Sequence, residues 1–270
     1  MGTRALAFVR ELQRRYSADR AGNLAAAISM RAFLALFPIL VLAIAVVGLF
    51  VGDATAFADR VVNALGLTGD AATLITDATR TAQQTKVASS IIGFVGLLWT
   101  GTGLAASITD AWNQVWGIPG GSFRGRLAGV GWLAGGGVLA IIGFGATALV
   151  SGSGSLVVVG VVGGLAVDTM LFVWTAWILP ARRIPLRAML PAAVVGGIGY
   201  EILKLVGGYA VPVMVRRSST LYGTIGVVFA LLVWMLVLGY LIVGVALVEK
   251  VAFDQGASRS IDHESAPARV

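Results

Sequence analysis

Long apolar runs alternate with short polar connectors along this chain, and the runs have the length a bilayer demands. Crossing about 30 Å of hydrocarbon takes roughly 20 apolar residues in helical conformation. Six stretches meet that requirement, at 32–51, 88–108, 127–150, 156–179, 188–211 and 225–248. Each can cross with modest tilt, so the pattern predicts an all-α, polytopic membrane helical bundle with six transmembrane helices, a single integral domain over residues 1–253. Leu6, Val9, Leu12 and Tyr16 recur at near-helical spacing among arginines, which predicts an interfacial amphipathic helix over residues 4–20. The arginine-rich segment before the first run is too long for a secretory leader. In the one long connector, Gly52 to Val87, two sets repeat with helical period: Phe57, Val61, Val62 and Leu65, then Leu74, Ile75 and Ala78. They predict short amphipathic helices over the bundle mouth. From 254 to 270 the chain turns polar, with Gly, Ser and Pro, and is expected to be a disordered cytoplasmic tail.

Composition sharpens this picture. With 57% hydrophobic and 12% charged residues and a mean hydropathy of +0.89, the chain is no ordinary soluble globule. A net charge of +7 would suggest nucleic acid in a soluble protein, but here the positive-inside bias accounts for it, and no nucleic-acid partner is expected. The absence of cysteine excludes disulfides, thiolate metal sites and cysteine nucleophiles.

Loop charges set the orientation. An even number of spans leaves both termini on one side, and the segments on that side carry thirteen Lys and Arg against five on the other. The thirteen include Arg4, Arg10, Arg14, Arg15 and Arg20 before the first span, Arg124 and Arg126, Arg182, Arg183 and Arg187, and three in the tail. Both termini are therefore expected in the cytoplasm. Trp112, Trp116, Trp132, Trp174 and Trp177 all fall near the cytoplasmic span ends, where indole favours the headgroup layer.

Soluble chemistry is hard to place. The only histidine, His263, lies in the polar tail, and no phosphate-binding GxxxxGK[ST] loop occurs. Gly101-Thr102-Gly103 sits within an apolar span and reads as helix packing; Gly152-Ser153-Gly154 reads as an external turn. No catalytic residue, metal or other cofactor is expected, and the chain is not expected to be an enzyme.

Buried polar chemistry is more informative, because an ionisable group inside a membrane costs about 2.5 to 3.5 kcal/mol on insertion scales and usually faces the bundle interior. Asp168 in the fourth span and Glu201 and Lys204 in the fifth lie deep. Gly197, Glu201, Lys204 and Gly208 make one small and polar stripe that is expected to face inward. At 1.5 Å per residue from the turn shared by these two spans, Asp168 stands about 16 Å deep, Glu201 about 20 Å and Lys204 about 24 Å, all near mid-membrane. Two readings stand side by side: a Glu201–Lys204 ion pair that only neutralises itself, or a substrate or proton site to which Asp168 adds a titratable carboxylate. Pro38 should kink the first span near Phe33 and Phe37. GxxxG spacings through Gly125, Gly129, Gly131, Gly135, Gly160 and Gly164 suit close helix packing and leave homo-oligomerisation open. Arg216 and Arg217 break the charge bias on the external side; they are either a solvated turn or an anion-docking lip for phosphate or carboxylate.

Two stretches resemble the YihY/virulence factor BrkB family: residues 25–38, Ala-Ala-Ala-Ile-Ser-Met-Arg-Ala-Phe-Leu-Ala-Leu-Phe-Pro, and Leu221-Tyr222-Gly223-Thr224-Ile225-Gly226, which leads into a final span ending Glu249-Lys250-Val251. The resemblance covers roughly residues 10 to 252. It departs at Met30-Arg31, where many members have an aromatic pair. It implies a six-span bacterial inner-membrane protein with a permease-like or envelope role. The ribonuclease label that some members carry finds no metal ligands here. Together with the buried charges and the basic lip, it leads us to expect a transporter of an anionic amphiphile, a lipid or lipid-linked envelope precursor, with membrane lipids as partners; the alternative is a non-transporting envelope scaffold. For the topology, a cysteine placed at Thr68 should react with an impermeant thiol reagent in intact cells, whereas one at Ser258 should not; the reverse labelling would invert the orientation.

Overall fold

The computed structural model describes residues 2–50, 54–65, 72–73, 75–77, 79–80, 86–119, 123–148 and 155–264. Outside the described residues lie Thr68, Leu74, Ala78 and the Gly152-Ser153-Gly154 turn, together with the side chains of Phe57, Val61, Leu65, Arg124, Arg126, Tyr222, Ser258 and His263. Seven helices follow one another among the described residues: α1 (Gly2–Ala18), α2 (Ala21–Phe50), α3 (Ala54–Leu65), α4 (Lys86–Trp116), α5 (Phe123–Ala148), α6 (Ser155–Ile178) and α7 (Leu186–Glu264). Further helical turns occur between residues 72 and 80, and no strand is present among the described residues.

Helix α7 is two spans in one. At Gly223 the backbone takes φ 59° and ψ −141°, which separates a first arm from a second. Among the described residues six helical segments are long and apolar enough to cross a membrane: Ala21–Ala43, Ile91–Trp116, Leu127–Ala146, Val158–Ile178, Leu186–Ser218 and Ile225–Gly256. The count agrees with the hydropathy pattern, and the chain is a multi-pass membrane protein of all-α class. Span ends differ, most at the first and last. Helix α2 starts some ten residues before the expected position because Ala21, Ala25 and Ile28 are wholly buried, so small residues of modest hydropathy pack instead of lying in solvent. Likewise α7 runs on to Glu264 where a disordered tail was expected, with Val251 buried and Asp254 held by ion pairs.

The chain divides into two compact units. The first comprises residues 1–25, 108–201 and 240–270. Here α5 and α6 form a hairpin whose glycines make room for large side chains. A Cβ on Gly135 would stand 2.5 Å from the Trp174 ring, and one on Gly131 would stand 3.2 Å from Ile178. The Trp132 indole donates to Thr175 Oγ1 at 2.9 Å. Gly196 and Gly199 on the first arm of α7 take up Phe172 and Leu241 in the same way. Gly125, by contrast, faces open space and supports no packing of this kind.

The second unit comprises residues 26–107 and 202–239. Helix α2 runs through Pro38, and α4 lies against it there: a Cβ on Gly96 would meet Pro38 Cβ at 3.1 Å, and one on Gly93 would meet the Leu42 backbone at 3.1 Å. Phe33 and Phe37 contact each other edge to face, with centroids 5.6 Å apart. The long connector packs on the ends of the two α7 arms, where Val62, Ala72 and Ile75 meet Val211, Met214, Val215, Val227 and Ala230. This is the amphipathic arrangement expected from Val62 and Ile75.

The reversal between the two arms depends on glycine. An L side chain at Gly223 would occupy a left-handed φ that only glycine adopts freely, and a Cβ on Gly226 would collide with the carbonyl of Ser218. Gly223→Ala should therefore cost about 1–2 kcal/mol, and Gly226→Ala about 1–3 kcal/mol through overpacking. Gly145→Ala, beside which nothing lies within 4 Å, should cost nothing. Chemical unfolding of the detergent-purified protein reads all three; equal midpoints for wild type and Gly226→Ala would contradict the tight reversal.

Candidate buried acid site

Two helices of the first unit position the deep carboxylates. Gly197 and Glu201 lie one turn apart on the first arm of α7 and face α6. A Cβ on Gly197 would stand 2.8 Å from the Thr169 amide nitrogen, so the two backbones nearly touch there. One turn along, the Glu201 carboxylate fills the space that Gly164 leaves open: a Cβ on Gly164 would be 2.8 Å from Oε2 and 3.2 Å from Oε1. The register thus sets residue 197 opposite residue 169 and residue 201 opposite residue 164. Asp168, adjacent to Thr169, lies on the same seam about one turn, roughly 6 Å, from the level of Glu201. Asp168 is 2% exposed and Glu201 5%. Tyr200 stands close enough to Asp168 to feel its charge, and its ring meets Phe172 edge to face at 6.4 Å.

The sequence pattern put Asp168 and Glu201 together, and the structure brings both to one interhelical seam. The rest of the expected stripe is less buried than Glu201. Lys204 is half-buried and falls in the second unit, and Gly208 is exposed with nothing within 4 Å. There the neighbouring Gly207 is the packing position, since its Cβ would meet the Trp234 ring at 2.7 Å. Arg216 and Arg217 are exposed beside the buried Val215. Among the described residues no group of three His, Asp or Glu side chains is placed to hold a metal ion.

A second polar cluster, which the sequence pattern does not single out, closes the end of the first unit where α1 meets the last helix. Helix α4 ends in a reversal in which Gly117 has φ 63°; the Ile118 amide donates to Asn113 O at 2.8 Å and the Gly117 amide to Gln114 O at 3.1 Å, the pairing that satisfies a helix's last carbonyls. Three consecutive residues of this last part of α4 make contacts to other segments. Asn113 Oδ1 accepts from the Ala181 amide at 3.2 Å, and the Gln114 side chain donates to Asp19 O at 2.7 Å. The wholly buried Trp112 donates from Nε1 to Glu249 Oε2 at 2.8 Å. Glu249 is itself 1% exposed. Trp116 lies one turn on from Trp112, and its buried indole N–H has no hydrogen-bond partner among the described residues.

Around this core runs a charged rim. Asp254 accepts from Arg15 at 2.6 Å and from Lys250 at 2.7 Å, tying α1 to the last helix. Lys250 also lies 5.3 Å from the centre of the Trp116 ring, and Trp116 packs on Phe253 with centroids 5.3 Å apart. On α1, Arg14 and Arg15 hold the Glu11 carboxyl down at about 2, while burial pushes the Asp19 carboxyl up against the pull of Arg15, Arg14 and Lys250. Tyr16 stacks on Tyr240 with centroids 6.5 Å apart. The clue in the sequence was the i, i+4 pair Trp112 and Trp116. A position near a span end suits a headgroup belt, but the Trp112 indole points inward to an acid.

Comparison with known proteins adds one match. The family model described as virulence factor BrkB aligns with residues 12–269. Neither a curated protein nor a solved structure matches the chain. The aligned region contains the glycine-dependent reversal at Gly223, the acid seam and the Trp112–Glu249 contact, and it spans nearly the whole sequence: the protein belongs to the virulence factor BrkB family.

Proposed function

We propose that this protein is a permease for an anionic amphiphile, a lipid or lipid-linked envelope precursor, in the bacterial inner membrane with both termini in the cytoplasm. One observation carries the reading: Asp168 and Glu201, both nearly inaccessible, share one seam between two spanning helices. Burying two acids inside an apolar bundle is costly, and helix packing alone would be served as well by apolar side chains. Carboxylates in such a place hold or pass protons, which suits coupling of substrate movement to a proton gradient. The exposed Arg216 and Arg217 supply the cationic docking point that an anionic headgroup requires. The reading is of a transporter and not of an enzyme.

Reconstituted vesicles carrying fluorescent phosphatidylglycerol provide the test. Wild-type protein should accelerate transfer of the lipid between leaflets. Asp168→Asn, which removes a titratable group with little change in volume, should slow it about tenfold, equivalent to about 1.4 kcal/mol. Glu201→Gln should act in the same direction, and Arg216→Ala should weaken transfer several-fold at low lipid content. Equal rates in protein-free vesicles, wild type and variants would reject transport and favour an envelope scaffold.

A further inference from the structure

A cation in the second unit has a built seat and, among the described residues, no counter-charge. Arg31 lies ten residues into the first span, about 15 Å along the helix from Ala21. Its flanks Ile28, Ala32 and Ala35 are buried, yet Arg31 itself is on the exposed side of α2. The guanidinium leans across onto α4 and rests over Gly103: a Cβ there would stand 2.7 Å from Nη1. Gly103 thus acts as more than a helix-packing residue, because any side chain at this position would occupy the place of the cation. Among the described residues nothing forms an ion pair or a hydrogen bond with Arg31. Leu34, 44% exposed, lies one turn along α2, and Trp99, 82% exposed, one turn along α4. The exposed side chains one turn from the charge on each helix are therefore apolar.

A permanently charged group within an apolar span calls for a counter-ion, and a guanidinium with five N–H donors in a planar fork fits a phosphate best. We propose that Arg31, seated on Gly103, is a binding site for the phosphate group of an anionic membrane lipid, with the acyl chains running along Leu34 and Trp99. The choice of a lipid rests on the permease reading; the placement of the cation does not. A soluble phosphate ion has the same chemistry, and the surface flanking the site favours a ligand with an apolar tail.

Native mass spectrometry of the full chain in detergent tests the site with three probes: phosphatidylglycerol, diacylglycerol of the same acyl length, and inorganic phosphate. Wild type should retain phosphatidylglycerol and not diacylglycerol. Arg31→Met should retain about tenfold less phosphatidylglycerol, with Arg31→Lys between the two. Gly103→Ala should also weaken retention by displacing the guanidinium while leaving its charge. Displacement of the lipid by inorganic phosphate in wild type would uphold a phosphate site and assign it to the soluble ion. If Arg31→Met, with an unchanged unfolding midpoint, holds phosphatidylglycerol as wild type does, the site is rejected; should that variant not fold, undiminished retention by both Arg31→Lys and Gly103→Ala rejects it equally. Retention is read without any transport step, and Gly145→Ala, beside which nothing lies within 4 Å, should leave it unchanged, so a failure of transport and a failure of this site are read separately.

Discussion

A polar group held inside hydrocarbon has no water to turn to, and its partners must come from the protein. Most of what is specific in this structure follows from that constraint. At two places a charged side chain, one buried and one exposed, lies over a glycine of a neighbouring helix. Glu201 lies over Gly164, and Arg31 over Gly103. Removing a side chain brings the backbones close, which strengthens van der Waals contact between helices that gain little from hydrophobic burial in a membrane, and it opens a slot in which a long polar side chain can extend. Helix glycines such as Gly135 and Gly164 thus serve two purposes that composition alone does not distinguish.

The same constraint explains the end at which α1 meets the last helix. Glu249 follows directly on the last apolar run and would ordinarily be solvated there. It is buried because the Asn113–Ala181 and Gln114–Asp19 contacts hold α4, the 179–185 turn and α1 together around it. The Trp112 indole then becomes its hydrogen-bond donor. The Arg15–Asp254–Lys250 rim is partly exposed, so each pair contributes little alone. Its effect is to fix where α1 lies and to extend the last helix past the apolar run.

Fold class and span number were legible in the sequence because hydropathy over some twenty residues averages away local detail. Gly223 was quoted there only as part of a motif; its left-handed φ gives that motif a physical role, as the break between two spans that otherwise form one helix. Asp168 and Glu201 were legible because a charge in an apolar run stands out, and the short turn between their helices fixes the register. Three features could not be read. The true start of α2 is hidden by alanines, whose hydropathy is modest whether they are packed or not. The loss of the stripe beyond Glu201 depends on Trp234 choosing Gly207 over Gly208, a tertiary contact. The seat of Arg31 depends on a glycine more than seventy residues away, and Gly101-Thr102-Gly103 carries no sign of what rests upon it.

The central claim is the seam between α6 and the first arm of α7, since the acid site exists only if that register is right. The chain has no cysteine, so paired cysteines report on it without background. Thr169→Cys combined with Gly197→Cys should form a disulfide on mild oxidation in membranes, because the two backbones nearly touch at that point. Thr169→Cys combined with Ile198→Cys, whose side chain is exposed, should not. Cross-linking of the second pair in preference to the first would contradict the seam and, with it, the shared burial of Asp168 and Glu201.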